Sequence, residues 1–177
     1  MRVFFGLELD ANSALQIADW RDRQLACNGH TVPPVNFHIT LAFVGPLRDP
    51  AIEQLCESVN KWLARSEVSG GILNLDCLGY WAKPGIYWLG PTTWPKPLTQ
   101  LSGKLRGLAT AVGAKKDRKP FQPHITLYRR CTAAPPTPPQ APAIPMTYQH
   151  FALFESRQGK QGVSYHSLQD WDLAPAP

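Results

Sequence analysis

The chain has 177 residues, 44% hydrophobic and 18% charged, which suits one packed core and excludes a disordered chain. A net charge of +5 and a pI near 9.2 are compatible with an anionic partner. No apolar run reaches the roughly 18 residues of a spanning helix, and Glu8 and Asp10 interrupt the first apolar stretch too early for a signal peptide, so a cytoplasmic protein with no membrane partner is expected.

Residues 2–9, rich in Val, Phe and Leu, read as a strand. Residues 13–27 read as a helix with Ile17, Trp20 and Leu25 on its apolar side and Gly29 closing it. Pro33 and Pro34 rule out helix and lead into a strand over 36–44, ended by Gly45-Pro46. Asp49 as N-cap and Pro50 at the first helical position open a second helix, with Ile52, Leu55, Cys56, Val59 and Leu63 as its apolar stripe. Residues 72–81 and 86–90 read as strands joined by the turn Lys83-Pro84-Gly85, and 97–112 as a third helix with Leu98, Leu101, Leu105, Leu108 and Val112 on one face. A basic loop, Lys115 to Lys119, precedes a strand over 123–130. Six prolines between Ala133 and Pro145 predict an extended surface connection, and 147–156 with 163–172 read as a final strand pair turned at 158–162.

Two stretches in this list are identical. His38-Ile39-Thr40-Leu41 and His124-Ile125-Thr126-Leu127 lie 86 positions apart, each in an alternating, strand-like setting. Period-two alternation sends the aliphatic residues to one face and His with Thr to the other, so each strand presents an imidazole and a hydroxyl side by side. The order strand, helix, His-x-Thr strand, helix is followed by strand, helix, His-x-Thr strand. This coarse internal duplication predicts an α+β fold of two intertwined lobes spanning 1–177. In it, antiparallel sheets related by a pseudo-twofold line a central cleft, with helices on the outer faces.

Two facing imidazoles suit phosphodiester cleavage. In-line attack needs a base on the entering oxygen and an acid on the departing one, and histidine serves as either near neutral pH. Threonine hydroxyls can hydrogen-bond the non-bridging oxygens, where charge concentrates in the transition state. Two His with two Thr make a poor metal-ligand set, and neither motif has Asp or Glu beside it. No Gly-x-Ser-x-Gly or phosphate-binding glycine loop is present. Metal-free acid–base catalysis with no cofactor is the expectation. The four cysteines, Cys27, Cys56, Cys77 and Cys131, form no Cys-x-x-Cys pair and read as reduced thiols.

The doubled motif and its flanks resemble the two-histidine phosphoesterase superfamily, and within it the bacterial RNA 2′,3′-cyclic phosphodiesterases, or 2′-5′ RNA ligase-like proteins. The resemblance rests on Arg2-Val3-Phe4-Phe5, on Asn36 to Gly45 and on Pro120 to Arg129. It implies hydrolysis of a terminal 2′,3′-cyclic phosphate to a 2′-phosphate without metal. It also implies His38 as proton donor to the leaving oxygen, His124 as the base that activates water, and Thr40, Thr126 and Arg129 as phosphate contacts. Phe5 matches a family aromatic near the nucleobase. Strict alternation, in contrast, places Arg130 and Tyr128 on the face of His124; Tyr128 would then line the cleft, and Arg130 would strengthen binding of longer RNA. RNA ends or nucleotides carrying a cyclic phosphate are the expected partners, with a monomeric protein. Joining of tRNA halves by a 2′-5′ linkage, and non-catalytic RNA binding, are the alternatives. His30, His150 and His166 lie outside the motifs and read as surface or structural residues.

Overall fold

The computed structural model describes all 177 residues. Strand β1 (Arg2–Glu8) leads to helix α1 (Ala11–Gln24), a short strand β2 (His30–Thr31), a 3-10 turn at Pro34–Asn36 and strand β3 (His38–Pro46). Helix α2 (Asp49–Leu63), strands β4 (Gly71–Leu75), β5 (Cys77–Trp81) and β6 (Ile86–Gly90), helix α3 (Lys96–Ala111) and strand β7 (Ile125–Arg129) follow. The chain closes with β8 (Ile144–Tyr148), β9 (His150–Gly159) and β10 (Gly162–Asp172). One four-stranded sheet has the order β10-β9-β1-β3, a second β2-β7-β6-β5, and β4 pairs with β8 alone. Every pairing within these sheets is antiparallel. The expected α+β class is observed, with each His-x-Thr-Leu motif in a different four-stranded sheet.

Boundaries move where local hydrogen bonding overrides periodicity. Helix α1 begins two residues early because the Asp10 carboxylate accepts from the Ser13 N–H at 2.8 Å, an N-cap. Asp49 is the first residue of α2, not its N-cap, and the capping position falls to the extended backbone of Arg48. Asp49 still places a carboxylate in the first turn, where the helix dipole favours it. The expected strand 72–81 is two strands in different sheets. Asp76 makes the break: its carboxylate accepts from the Thr92 N–H at 2.8 Å and hydroxyl at 3.0 Å. Gln149 likewise divides the expected strand 147–156 between β8 and β9.

A continuous core joins the two sheets. Phe5, Leu7, Ile39, Ile125, Leu127 and Phe151 are all fully buried. Helix α3, although it connects two strands of the second sheet, packs against β3 of the first. Helix α1 follows β1 of the first sheet, and its Arg21 reaches carbonyls at Val32 and Leu127, beside and within the second. The halves are thus cross-braced. The four cysteines are free thiols, with the Cys27 and Cys131 sulfurs 2.9 Å apart.

Both motif strands carry a β-bulge at the same place. In the first sheet Gly6 faces Thr40 and Phe5 faces Ala42, which leaves Leu41 as the extra residue. In the second, Trp88 faces Thr126 and Tyr87 faces Tyr128, which leaves Leu127 as the extra residue. A bulge inverts the phase of alternation beyond it.

Candidate active site

Each motif histidine is oriented by the turn before its strand. His38 Nδ1 lies 2.8 Å from the Asn36 carbonyl, and His124 Nδ1 lies 2.8 Å from the Gln122 carbonyl. A carbonyl only accepts, so Nδ1 carries the hydrogen in both rings and Nε2 is left as the free base in the neutral form. His38 Nε2 sits 3.1 Å from the Thr40 hydroxyl, which donates to it.

Aromatic rings flank both imidazoles. Phe4 and Tyr165 lie 4.9 and 4.8 Å from the His38 ring centroid. Trp81 and Trp88 lie 4.6 and 5.9 Å from that of His124. The Trp88 indole fits because position 79 is glycine; a Cβ there would collide with the ring. Burial against these rings disfavours the charged imidazoles and drives both pKa values down, that of His38 to about 4. The Nδ1 hydrogen bonds oppose this shift, and the positive charge of Arg129 adds to it at both rings.

His38, Thr40, His124, Thr126 and Arg129 line one cleft of about 1020 Å³, contributed by both sheets. The sequence placed these five together, and the bulge at Leu127 explains the arginine. Beyond the bulge, Tyr128 turns inward and Arg129 turns to the cleft. Arg130 follows at φ 56, exposed and outside the cleft lining, which corrects the placement that strict alternation gives.

Two further expectations are corrected. Phe5 is fully buried, packed at 6.3 Å from Phe151 and 6.0 Å from Trp171, and the cleft-lining aromatic of β1 is its neighbour Phe4. Tyr128 is buried against Tyr87 with ring centroids 6.0 Å apart, outside the cleft. The Tyr128 expectation fails on the phase change at the Leu127 bulge; that for Phe5, implied by the resemblance, is displaced by one residue along β1.

Sequence reasoning missed Phe43, Trp81, Trp88 and Tyr165, all of which line the cleft. Phe43 is 62% exposed there, unusual for a large apolar side chain. The signal was available: Phe43 stands five residues after His38, as Arg129 stands five after His124. Of the basic loop's cations only Lys119 reaches the lining, where Asp117 of the same loop adds a carboxylate and Arg2, Lys83 and Arg106 are further cations. His30, His150 and His166 lie elsewhere. No three His, Cys, Asp or Glu side chains converge to hold a metal ion, and no helix is long and apolar enough to cross a membrane.

Known proteins are similar along nearly the whole chain. The family model described as the 2′-5′ RNA ligase superfamily matches residues 9–160. The RNA 2′,3′-cyclic phosphodiesterase of Escherichia coli (strain K12) is 31% identical over 176 residues, covering 97% of this chain and 96% of that one. A crystal structure of E. coli LigT complexed with 3′-AMP superposes with a TM-score of 0.87 at 31% identity, covering 97% of each chain. A phosphate complex of the same protein gives 0.82 at 30% identity, covering 98% of this chain and 97% of that one. The doubled motif in two cross-braced sheets and the length of these matches lead to one conclusion: the chain belongs to the 2′-5′ RNA ligase superfamily.

Proposed function

We propose that this chain is an RNA 2′,3′-cyclic phosphodiesterase, opening a terminal 2′,3′-cyclic phosphate to a 2′-phosphate by acid–base chemistry between His38 and His124. The observation that carries the reading is the pair of Nδ1-tethered imidazoles on one cleft, each with its threonine. The relative named RNA 2′,3′-cyclic phosphodiesterase, matched along nearly its whole length, supports the same substrate class. His124 takes the proton of the attacking water, and His38 gives one to the departing O3′. Thr40, Thr126 and Arg129 hold the non-bridging oxygens and offset the charge that builds there.

Both rings are neutral in the empty cleft at pH 7, because both pKa values lie below 6.5. The acid must therefore acquire its proton as the anionic ester arrives. A phosphate charge beside His38 raises its affinity for a proton and offsets the burial that holds the empty ring neutral. Binding and protonation are coupled events in this scheme.

The test supplies RNA ending in a 2′,3′-cyclic phosphate, with a chelator present, and identifies the product by mass and by its resistance to a 3′-specific phosphatase. A 2′-phosphate should form, and His38→Ala and His124→Ala should each lower the rate by about 10²–10⁴-fold. Full activity in either variant would remove the mechanism. The joining reaction, with tRNA halves as substrate and a 5′-hydroxyl replacing water, is a second reading. It is favoured by a cleft whose lining also includes Lys83, Lys119 and Phe121. Formation of a 2′-5′ bond when 5′-hydroxyl RNA is added in excess would support it.

A further inference from the structure

Aside from aromatic residues and cysteine, only two polar or charged side chains are buried, Arg21 and Ser102. They lie on different helices, α1 and α3. Each donates to the carbonyl of the leucine in a His-x-Thr-Leu motif. Ser102 Oγ bonds the Leu41 carbonyl at 2.5 Å. Arg21 Nη1 bonds the Val32 carbonyl at 2.6 Å and lies 3.4 Å from the Leu127 carbonyl. Leu41 and Leu127 are the extra residues of the two matching bulges.

Chance placement of the only two such groups on these two carbonyls is implausible. A helical serine ordinarily bonds a carbonyl of its own helix or faces water; Ser102 does neither, surrounded by Leu98, Leu101 and Leu105 on the buried face of α3. Arg21 does more than fill space. Its guanidinium lies 5.5 Å from the Phe37 ring and 5.6 Å from the Tyr128 ring. Phe37 precedes His38 and Tyr128 precedes Arg129, so one buried cation touches the backbone neighbours of groups from both motifs.

We infer that Ser102 and Arg21 are positioning residues: each helix crosses to a motif strand and pins its bulge, and the pinned bulge aims the side chains on either side of it. Ser102 sets Thr40 and, through the Thr40 hydroxyl, Nε2 of His38. Arg21 sets Thr126 and Arg129. This inference rests on the proposed hydrolysis for its kinetic readout, but not for its binding readout.

The experiment uses the full chain and compares Ser102→Ala, Arg21→Met and Arg21→Lys with wild type. Three quantities are read: kcat and KM on RNA with a cyclic end, affinity for inorganic phosphate by calorimetry, and the thermal midpoint. Ser102→Ala should lower kcat at least tenfold with KM within twofold, and the loss should shrink to less than threefold when Thr40 is already alanine. Arg21→Met should weaken phosphate binding and raise KM at least tenfold, and should add less than twofold to Arg129→Ala. Arg21→Lys, which keeps the charge but not the fork, should fall between wild type and Arg21→Met. Variants within twofold of wild type would overturn the inference, as would losses that stay fully additive with Thr40→Ala and Arg129→Ala, which would mean a general loss of stability. If the wild-type protein leaves cyclic phosphates intact, the proposed function fails, and the phosphate affinities of the Arg21 variants still decide the positioning role. Should Arg21→Met not fold, the smaller shift expected of Arg21→Lys decides it.

Discussion

At the scale of single residues, the tension lies between burial and charge in the two histidines. Burial lowers both imidazole pKa values, and Arg129 lowers them further. The free enzyme then carries its one-proton, two-histidine state at pH values below 6.5. Since kcat/KM reports the free enzyme, its maximum should lie on the acid side of 6.5. The profile of kcat, which reports the complex with an anionic ester, should lie at higher pH. Arg129→Met removes a positive charge beside both rings and should move the kcat/KM profile upward in pH; a profile that stays put or moves to acid would contradict this electrostatic account. Stability has a definite sign too. His38 binds its proton with a pKa near 6.5 when unfolded and about 4 when folded. Between those values the unfolded chain holds more protons, so stability present above pH 6.5 is lost as pH falls toward 4. The thermal midpoint should decline over this window, and less steeply in His38→Ala. The motif histidines and threonines were legible because an exact four-residue repeat is informative without any fold. Phe4, Trp81 and Tyr165 were not, since single aromatics read as core until a cleft shows otherwise.

At the scale of elements, the bulge decides which arginine serves the cleft. Alternation is a two-state clock, and one unpaired residue resets it. The sequence LYRR after Thr126 contains no glycine or proline to announce the reset, and a bulge of this kind depends on what the partner strand offers. Tyr87 and Tyr128 face each other across the ladder and stack at 20°, which holds Tyr128 inward and turns Arg129 outward. Strand existence was thus readable from composition, and strand phase was not. Sheet membership was lost too: the apolar-rich run from 72 to 81 reads as one strand while Asp76 hands the chain from one sheet to another. Substitution separates the two arginines. A charge-assisted hydrogen bond is worth about 1.5–3 kcal/mol, so Arg129→Ala should cost roughly 10–100-fold in kcat/KM. Arg130→Ala, outside the cleft, should cost under threefold on a short cyclic-phosphate RNA. Equal losses would mean that both side chains reach the phosphate.

At the scale of the whole molecule, the helices make the two sheets interdependent. Helix α3 belongs by connectivity to the second sheet and by packing to the first, and α1 sends Arg21 the opposite way. A duplicated sequence alone suggests lobes that melt separately; the crossed helices argue for one cooperative transition. Leu105 of α3 is fully buried, and Leu105→Ala should cost about 2–5 kcal/mol as a cavity. Tryptophans report on each sheet independently: Trp171 on β10 in the first, Trp81 and Trp88 on β5 and β6 in the second. With fluorinated tryptophan, the resonances of both sheets should lose their native positions at one denaturant concentration, in wild type and in Leu105→Ala, and that midpoint should fall in the variant for both sheets alike. If Trp171 melted first and the second sheet kept its wild-type midpoint, the lobes would be independent folding units. The cleft would then owe its geometry to docking of two bodies. Coincident melting would instead mean that the distance between the imidazoles is set by the same core that holds the chain folded.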